Sequence, residues 1–365
     1  MKKVNVGIVG CGNISGIYLT NLTGMFADRV NVAAVCDLIP ERALEAQKKF
    51  GIPKAYFTDA EIMADEEIEL IVNITTPDQH CPVNLMALNA GKHAYCEKPL
   101  ATCRADGEKQ AALAKEKGLL LGGAPDTFLG GGIQTCRKLI DDGWIGDVVA
   151  ANASMRCRGH ESWHPGPAFY YQAGGGPMFD MGPYYLTCLI NLLGAVESVS
   201  AYTRVTFPQR RITSKPLYGT LIDVEVPTHI AGVMRFESGA IGTLTTSFDV
   251  WDDHQACVEV FGSRGSLLVP DPNGFGGPVK LLREGQSDYE DVPVVCGYRE
   301  NSRGIGVADL CEALREGRTP RANWTQTFHV LDLMCAFHDS SDAGTEIRLR
   351  KGFERQPALP IGYSF

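Results

Sequence analysis

The stretch Val4–Val9 runs without interruption into Gly10-Cys11-Gly12-Asn13-Ile14-Ser15-Gly16. A nearly continuous β-branched run suits a strand buried on both faces of a parallel sheet. A glycine turn that follows such a strand and opens a helix is the setting of a dinucleotide fingerprint. Gly10 permits the tight turn, and Gly12 lets the backbone approach a pyrophosphate at a helix N-terminus. Ser15 stands at the third small position and is still compact enough for close helix packing. Asp37 closes the next strand, where an acceptor suits the ribose 2′-hydroxyl of NAD and repels a 2′-phosphate. Arg42, the nearest residue that would favour NADP, lies a turn into the following helix.

The alternation continues beyond the first βαβ step. Val30–Cys36, Ile68–Ile74, His93–Cys96 and Leu119–Leu121 read as strands, separated by helices to about Met25 and over Pro40–Phe50, His80–Ala90 and Arg104–Lys117. Strands and helices of this length in turn predict an α/β domain with right-handed crossovers, over residues 1–123. After Gly123 the pattern changes, and residues 124–365 read as α+β with a large, mostly antiparallel open sheet. Helices are expected at Ile133–Asp141, Met178–Leu193, Gly304–Arg315 and Trp324–Ser340. Strands are expected at Asp147–Cys157, Val199–Val205, His229–Phe236, Ala240–Phe248, Ala256–Phe261 and Ser266–Val269. Exposed strands of this kind leave an open face or edge, so a homo-oligomer is expected.

Composition excludes several classes. The 365 residues carry a formal net charge of −9 with no long run of Lys or Arg, which argues against a nucleic-acid partner. No apolar stretch approaches ~18 residues, so no membrane span is expected, and no secretory leader is read at Met1-Lys2-Lys3. Twelve cysteines sit singly in apolar patterns with no C-x-x-C pair, which reads as free thiols in a reducing cytoplasm rather than a disulfide or zinc framework. No metal site is expected.

Glu97-Lys98-Pro99 follows the strand His93–Cys96. A lysine there faces the crevice at the carboxyl ends of the strands, where such sheets hold ligands. With the glycine turn before it, the chain resembles the glucose–fructose oxidoreductase / inositol dehydrogenase / rhizopine-catabolism (Gfo/Idh/MocA) family. The resemblance rests on Gly10-Cys11-Gly12-Asn13-Ile14, Asn73-Ile74-Thr75-Thr76-Pro77 with His80, Ala90-Gly91-Lys92-His93 leading to Glu97-Lys98-Pro99, and Gly174-Gly175-Gly176 followed by Asp180-Met181-Gly182. It implies a Rossmann domain, a substrate and oligomer domain, and hydride transfer between NAD and a sugar or polyol carbon. It further implies that Gly10, Gly12, Asn13, Ile14, Asp37, Thr75, Thr76, Pro77, His80, Glu97 and Lys98 line the cofactor. Lys98 then lies beside the reacting carbinol, and Asp180 belongs to the substrate site.

The chain departs from the family in two places. Where members commonly read Asp-x-Gly-x-His-x-x-Asp, this sequence has Tyr184 for the histidine and Thr187 for the second acid. A family-like Asn-Arg-Arg is replaced by Pro125-Asp126-Thr127, which brings Asp126 among the expected substrate contacts. Oxidising an alcohol needs a hydride acceptor and a base for the hydroxyl proton. Lys98 serves as base if its pKa falls, or as a donor to the developing carbonyl while charged. Tyr184 is a candidate proton relay or substrate-orienting phenol, with core packing in its apolar helix the alternative. In the loop His160-Glu161-Ser162-Trp163-His164-Pro165, Trp163 is read as a platform for a sugar face and His164 as a polar contact or acid/base. Trp251-Asp252-Asp253-His254 is read as a border of the pocket or an interface. Three outcomes stay open: net oxidation of a sugar, glycoside or polyol hydroxyl, including oxidation at C3; NAD-recycling glycoside cleavage through transient C3 oxidation and elimination; and a non-catalytic nucleotide sensor, against which Lys98 and Asp180 argue.

Overall fold

The structure, a computed structural model, describes residues 2–251 and 258–365. By internal contacts the chain divides into two compact units. The first comprises Met1–Leu129, Glu300–Leu331 and Tyr363–Phe365; the second comprises Gly130–Arg299 and Asp332–Gly362. Residues 300–331, expected with the second domain, therefore belong to the first.

The first unit opens with β1 (Val4–Val9), α1 (Ser15–Thr23), β2 (Val30–Cys36), α2 (Pro40–Phe50), β3 (Lys54–Tyr56) and α3 (Asp59–Ala64). It continues with β4 (Leu70–Asn73), α4 (Pro77–Asn89), β5 (His93–Cys96), α5 (Arg104–Lys117) and β6 (Leu121–Gly123). The six strands pair in parallel in the order β3-β2-β1-β4-β5-β6. β3 and α3 escape sequence periodicity because each is under two helical turns or four residues long. The start of α3 did carry a signal, since Thr58 and Glu61 form a reciprocal capping box. The order places the carboxyl ends of β1, β4 and β5 side by side, where the glycine turn, Thr75-Thr76-Pro77 and Glu97-Lys98-Pro99 emerge.

The second unit contains α6 (Gly131–Asp141), β7 (Val148–Arg156), α7 (Gly176–Asp180), α8 (Gly182–Leu193) and β8 (Val196–Arg204). A separate two-stranded ribbon, β9 (Gln209–Arg211) and β10 (Leu221–Asp223), follows. Then come β11 (His229–Phe236), β12 (Ile241–Ser247), β13 (Val258–Gly262), β14 (Gly265–Val269), β15 (Val279–Arg283) and β16 (Glu290–Val292). After Arg299 the chain forms α9 (Ile305–Glu316) in the first unit, α10 (Trp324–Ala343) and β17 (Ile347–Arg348). Among the described residues, the second unit's main sheet runs β16-β15-β14-β13-β7-β12-β11-β8-β17. Its pairs are antiparallel except β7 with β12, which run parallel. The expected strand Ala256–Phe261 begins in described residues only at Val258, and Asp252, Asp253 and His254 lie outside them.

The single helix expected over Met178–Leu193 is two helices that break at Met181. Pro183 explains the break: it lacks an N–H and suits only the first turn of α8. All twelve residues of α8 are buried, so this helix is the unit's core against α6 and β7. Asp180 ends the short α7 just before the break, lifted out of that core.

Candidate active site

The first unit builds a cradle at its glycine turn. Gly10 has φ +100°, and a Cβ there would lie 2.8 Å from the Ile74 carbonyl oxygen, so no other residue fits. At Gly12 a Cβ would meet nothing within 4 Å, which leaves open space above the turn. Helix α1 begins with no side-chain cap and no acidic residue in its first turn. Its free N-terminal dipole is an anion site. The serine at the third position is explained here: Ser15 Oγ donates to the Gly12 carbonyl at 2.7 Å, so it tightens the turn. Asp37 Oδ2 accepts from the Cys11 amide at 2.7 Å and Oδ1 from the Ile39 amide at 2.8 Å. The carboxylate is thereby fixed beside the turn, with Leu38 and Ile39 exposed next to it. Asn13 is exposed on the turn and Ile14 half-buried. These features fit a dinucleotide: an open helix end for its pyrophosphate, an acceptor for a ribose and an apolar flank for a base.

Beneath the ends of β4 and β5 lies a buried amide chain that the sequence did not reveal. Asn73 Nδ2 donates to the His80 carbonyl and to Asn84 Oδ1, both at 3.0 Å; Asn84 Nδ2 donates to Gln110 Oε1 at 2.7 Å; and Gln110 Nε2 reaches the Leu100 carbonyl at 3.2 Å. Asn73 Oδ1 accepts from Thr75 Oγ1 at 2.6 Å. Thr75 and Pro77 are half-buried, and Thr76 is exposed as the N-cap residue of α4.

His80 is corrected by the structure. Its side chain is wholly buried, with Nδ1 2.7 Å from the Pro99 carbonyl and Nε2 3.3 Å from the Thr75 carbonyl. It braces the two loops from behind instead of presenting its ring to a ligand. Burial holds its pKa below the ordinary histidine value, against the pull of the Pro99 and Thr75 carbonyls and of Glu97. Glu97 also points inward: Oε1 accepts from the buried Tyr18 hydroxyl at 2.7 Å, and Oε2 from the Lys98 amide at 2.9 Å. Burial, with Glu97 beside it, pushes the Tyr18 phenol well above its usual value and keeps it a donor. Lys98, half-buried at the end of this carboxylate-anchored turn, is fixed at its backbone.

Asp126 is the second correction. It is 1% exposed, and its Oδ2 accepts from the amides of Gly304 at 2.8 Å and Gly306 at 3.1 Å, at the start of α9. It caps a helix and has no open face for a substrate. Burial pushes its carboxyl up to about 6, opposed by those two amides and assisted by nearby Glu97.

In the second unit the loop after β7 folds back on Asp180. His160 Nε2 lies 3.1 Å from Asp180 Oδ2, and both side chains are partly exposed. The imidazole is walled by Tyr170, Phe248 and Trp163, with ring centroids at 4.2, 4.6 and 5.2 Å. His164 extends the row, 5.4 Å from each of Trp163, Phe169 and Tyr170. Trp163 is 59% exposed. His164 Nδ1 accepts from the Gly166 amide at 3.1 Å, which ties that ring to its own turn. The glycine run ahead of Asp180 is needed for this packing, since a Cβ at Gly175 would lie 2.5 Å from the Phe169 carbonyl oxygen.

Arg210 knots the loop. Its Nε donates to Glu161 Oε1 and its Nη1 to Asp249 Oδ1, each at 2.6 Å. Its Nη2 donates to the carbonyls of Arg158 at 2.6 Å and Phe248 at 2.9 Å. Tyr171 donates its hydroxyl to Glu161 Oε2 and accepts the His160 amide. Tyr184 takes the packed position that its apolar helix allows. It is 8% exposed in the first turn of α8, packed into the core. Sequence reasoning singled out His164 in this loop; the structure sets His160 beside Asp180, a choice between two histidines four residues apart that only the folded chain makes.

A parallel-sheet dinucleotide cradle followed by a mixed-sheet unit bearing a carboxylate–imidazole pair defines a two-unit nicotinamide oxidoreductase. The chain belongs to the Gfo/Idh/MocA family: residues 4–123 match its oxidoreductase, NAD-binding Rossmann-fold pattern, and residues 133–268 match its C-terminal domain. It is 26% identical over 313 residues to a trans-1,2-dihydrobenzene-1,2-diol dehydrogenase of Bos taurus, covering 85% of this chain and 87% of that one. It is 25% identical over 267 residues to a myo-inositol 2-dehydrogenase of Thermotoga maritima, covering 73% and 75%. Its fold matches that of a levoglucosan dehydrogenase solved in complex with NADH, with a TM-score of 0.84 at 20% identity, over 96% of this chain and all of that one.

Proposed function

We propose that the protein oxidises a secondary hydroxyl of a sugar, glycoside or polyol with NAD, the C3 hydroxyl of a hexose ring being one such position. The observation that carries this reading is Lys98, anchored at its amide by Glu97 at the end of β5, in the unit whose turn pairs an open helix N-terminus with Asp37. Bound NAD supplies the hydride acceptor. Gly10 and Gly12 admit its pyrophosphate, and Asp37 takes its ribose and disfavours a 2′-phosphate. Lys98 donates to the carbinol oxygen as it becomes a carbonyl. The second unit offers Asp180 for substrate hydroxyls and the aromatic row for the apolar face of a ring.

Relatives named for a dihydrobenzenediol, myo-inositol and levoglucosan support a vicinal-diol substrate. The described cysteines are free thiols and largely buried, which supports a reducing cytoplasmic setting. No helix among the described residues is long and apolar enough to cross a membrane.

A panel of inositols, hexoses and aryl glycosides, with NADH and released aglycone followed together, tests the reading. NADH formed in proportion to a keto product is expected. Aglycone release without net NADH would instead indicate oxidation, elimination and re-reduction. Lys98→Ala should retain NAD binding and lose turnover by about 10²-fold or more; undiminished turnover would remove Lys98 from the reaction.

A further inference from the structure

The buried amides behind β4 and β5 have a single possible orientation, and it fixes the hydroxyl of a residue beside the glycine turn. We propose that Asn73 holds the Thr75 hydroxyl as an acceptor only, and that Thr75 Oγ1 takes a hydrogen bond from a donor on the nicotinamide half of NAD. That donor is the carboxamide amino group or a hydroxyl of the adjoining ribose. The assignment rests on the NAD reading above and involves the first unit alone.

An amide side chain presents a donor on one side and an acceptor on the other, so backbone groups at the two ends of an amide chain set its direction. Gln110 Nε2 faces two carbonyls, Leu100 at 3.2 Å and Asp106 at 3.1 Å, which leaves Oε1 toward Asn84. Asn84 then offers Nδ2 to that oxygen at 2.7 Å and turns Oδ1 to Asn73 Nδ2 at 3.0 Å. At the other end Asn73 Nδ2 also faces the His80 carbonyl, and its Oδ1 faces the Thr75 amide at 3.3 Å. Both ends require the same direction. A reversed Asn73 would set its amino group against an N–H and its oxygen against a carbonyl. All three side chains are wholly buried, so water cannot restore what a reversal would lose.

Thr75 inherits this direction. Its Oγ1 lies 2.6 Å from Asn73 Oδ1, an oxygen with no proton to give, so the hydroxyl proton is committed to Asn73 and the lone pairs are left for other donors. Thr75 is half-buried and adjoins the glycine turn, where a Cβ at Gly10 would lie 3.1 Å from the Thr75 amide nitrogen. The strand order β2-β1-β4 puts Asp37 on one side of that turn and Thr75 on the other. A dinucleotide with one ribose at Asp37 and its pyrophosphate at the turn carries its second nucleoside over β4. An acceptor already fixed in direction meets the donors of that nucleoside without the cost of ordering a free hydroxyl. The far end of the chain, at the Leu100 carbonyl, ties the same arrangement to the turn that carries Lys98.

Calorimetric titration of the full-length protein with NAD, its acetylpyridine analogue, ADP-ribose and ADP tests the assignment. The analogue carries methyl in place of the carboxamide amino group, ADP-ribose lacks the nicotinamide, and ADP lacks the second ribose as well. Thr75→Val removes the hydroxyl at nearly constant shape, and it should weaken NAD about 3- to 10-fold while leaving ADP within about twofold. Thr75→Ser should bind NAD as the unaltered protein does. With the carboxamide as donor, the loss is confined to NAD; with the ribose as donor, the analogue and ADP-ribose share it. An undiminished NAD affinity in Thr75→Val, or an equal loss for ADP, would overturn the Thr75 assignment. Asn73→Leu frees the hydroxyl to rotate, so adding Thr75→Val to it should cost less than Thr75→Val costs alone. Equal costs in the two backgrounds would remove Asn73 from the role. Should Asn73→Leu fail to fold, Thr75→Val and Thr75→Ser still decide whether the hydroxyl is an acceptor for this half of NAD. If the unaltered protein binds none of these ligands, the NAD reading falls with the assignment; if it binds them and Thr75→Val changes nothing, the assignment alone falls.

Discussion

Asp126 shows how one side chain changes meaning between sequence and structure. Its place where the chain departs from the family's pattern suggested a substrate contact, yet its two amide partners lie at Gly304 and Gly306, far along the chain. Nothing in the local sequence announces a partner so distant. The same burial that removes it from the surface makes it a titrating group within the fold. Its carboxyl rises from the ordinary 3.8 to about 6, so the folded state holds a proton that the unfolded chain releases. The sign follows directly. The stability this proton contributes is fully present below pH ~4 and is lost as pH rises through ~6, about 3 kcal/mol in all. Asp126→Asn keeps an acceptor for the two amides and cannot ionise. The variant should therefore gain on the unaltered protein between pH 4.5 and 7.5, read as a growing difference in unfolding midpoints ("about 2 to 3 kcal/mol" at the upper end). A difference independent of pH would show that Asp126 stays ionised.

At the scale of elements, the loop that carries His160 is held by a strand that follows it by some fifty residues. Arg210 on β9 spends its Nε and Nη1 on two carboxylates and its Nη2 on two carbonyls, while its ring contacts with Tyr171 and Phe207 cover the guanidinium. Removing one partner of such a buried arrangement strands the others. Arg210→Met should cost about 3–5 kcal/mol, because Glu161 and Asp249 keep their charges without compensation. Combining it with Glu161→Gln and Asp249→Asn should recover most of that loss, a non-additivity that urea unfolding would measure. Additive losses would mean that the three side chains act separately. Long-range closure of this kind also marks the limit of what the sequence reveals. β1, β2, α2, α5 and β11 end where their patterns predict, because each has a continuous apolar period or a clear cap. The glycine turn, Asp37 and Lys98 were legible for the same reason: their chemistry is set by position on one strand end. His160, Arg210, Asn84 and Gln110 were not, since each acquires its role from a partner on another element.

At the scale of the whole molecule, the second unit's sheet has one face covered and one open. Helices α6, α7 and α8 pack against it on one side. On the other, Tyr202, Val233 and Ile241 are exposed, with Tyr202 at 81%. These residues project from β8, β11 and β12, adjacent strands whose register sets Tyr202 opposite Ala231 and Val233 opposite Thr243. Apolar side chains grouped on a sheet face favour association, since a monomer would leave them in water. A second copy is the simplest occupant, because a two-fold axis lets one face bury its own equivalent. Light scattering should then give a mass that is a multiple of 39.6 kDa, and the pair Tyr202→Arg with Val233→Arg should reduce it to a single chain. Four added guanidinium groups brought together across a two-fold axis would lose their water and repel one another and Arg235, so the effect should be near-complete at micromolar protein. The fold of each unit should survive, because both positions point away from the covered face, and circular dichroism should be unchanged. A mass of one chain for the unaltered protein at tens of micromolar would show that the open face serves another purpose.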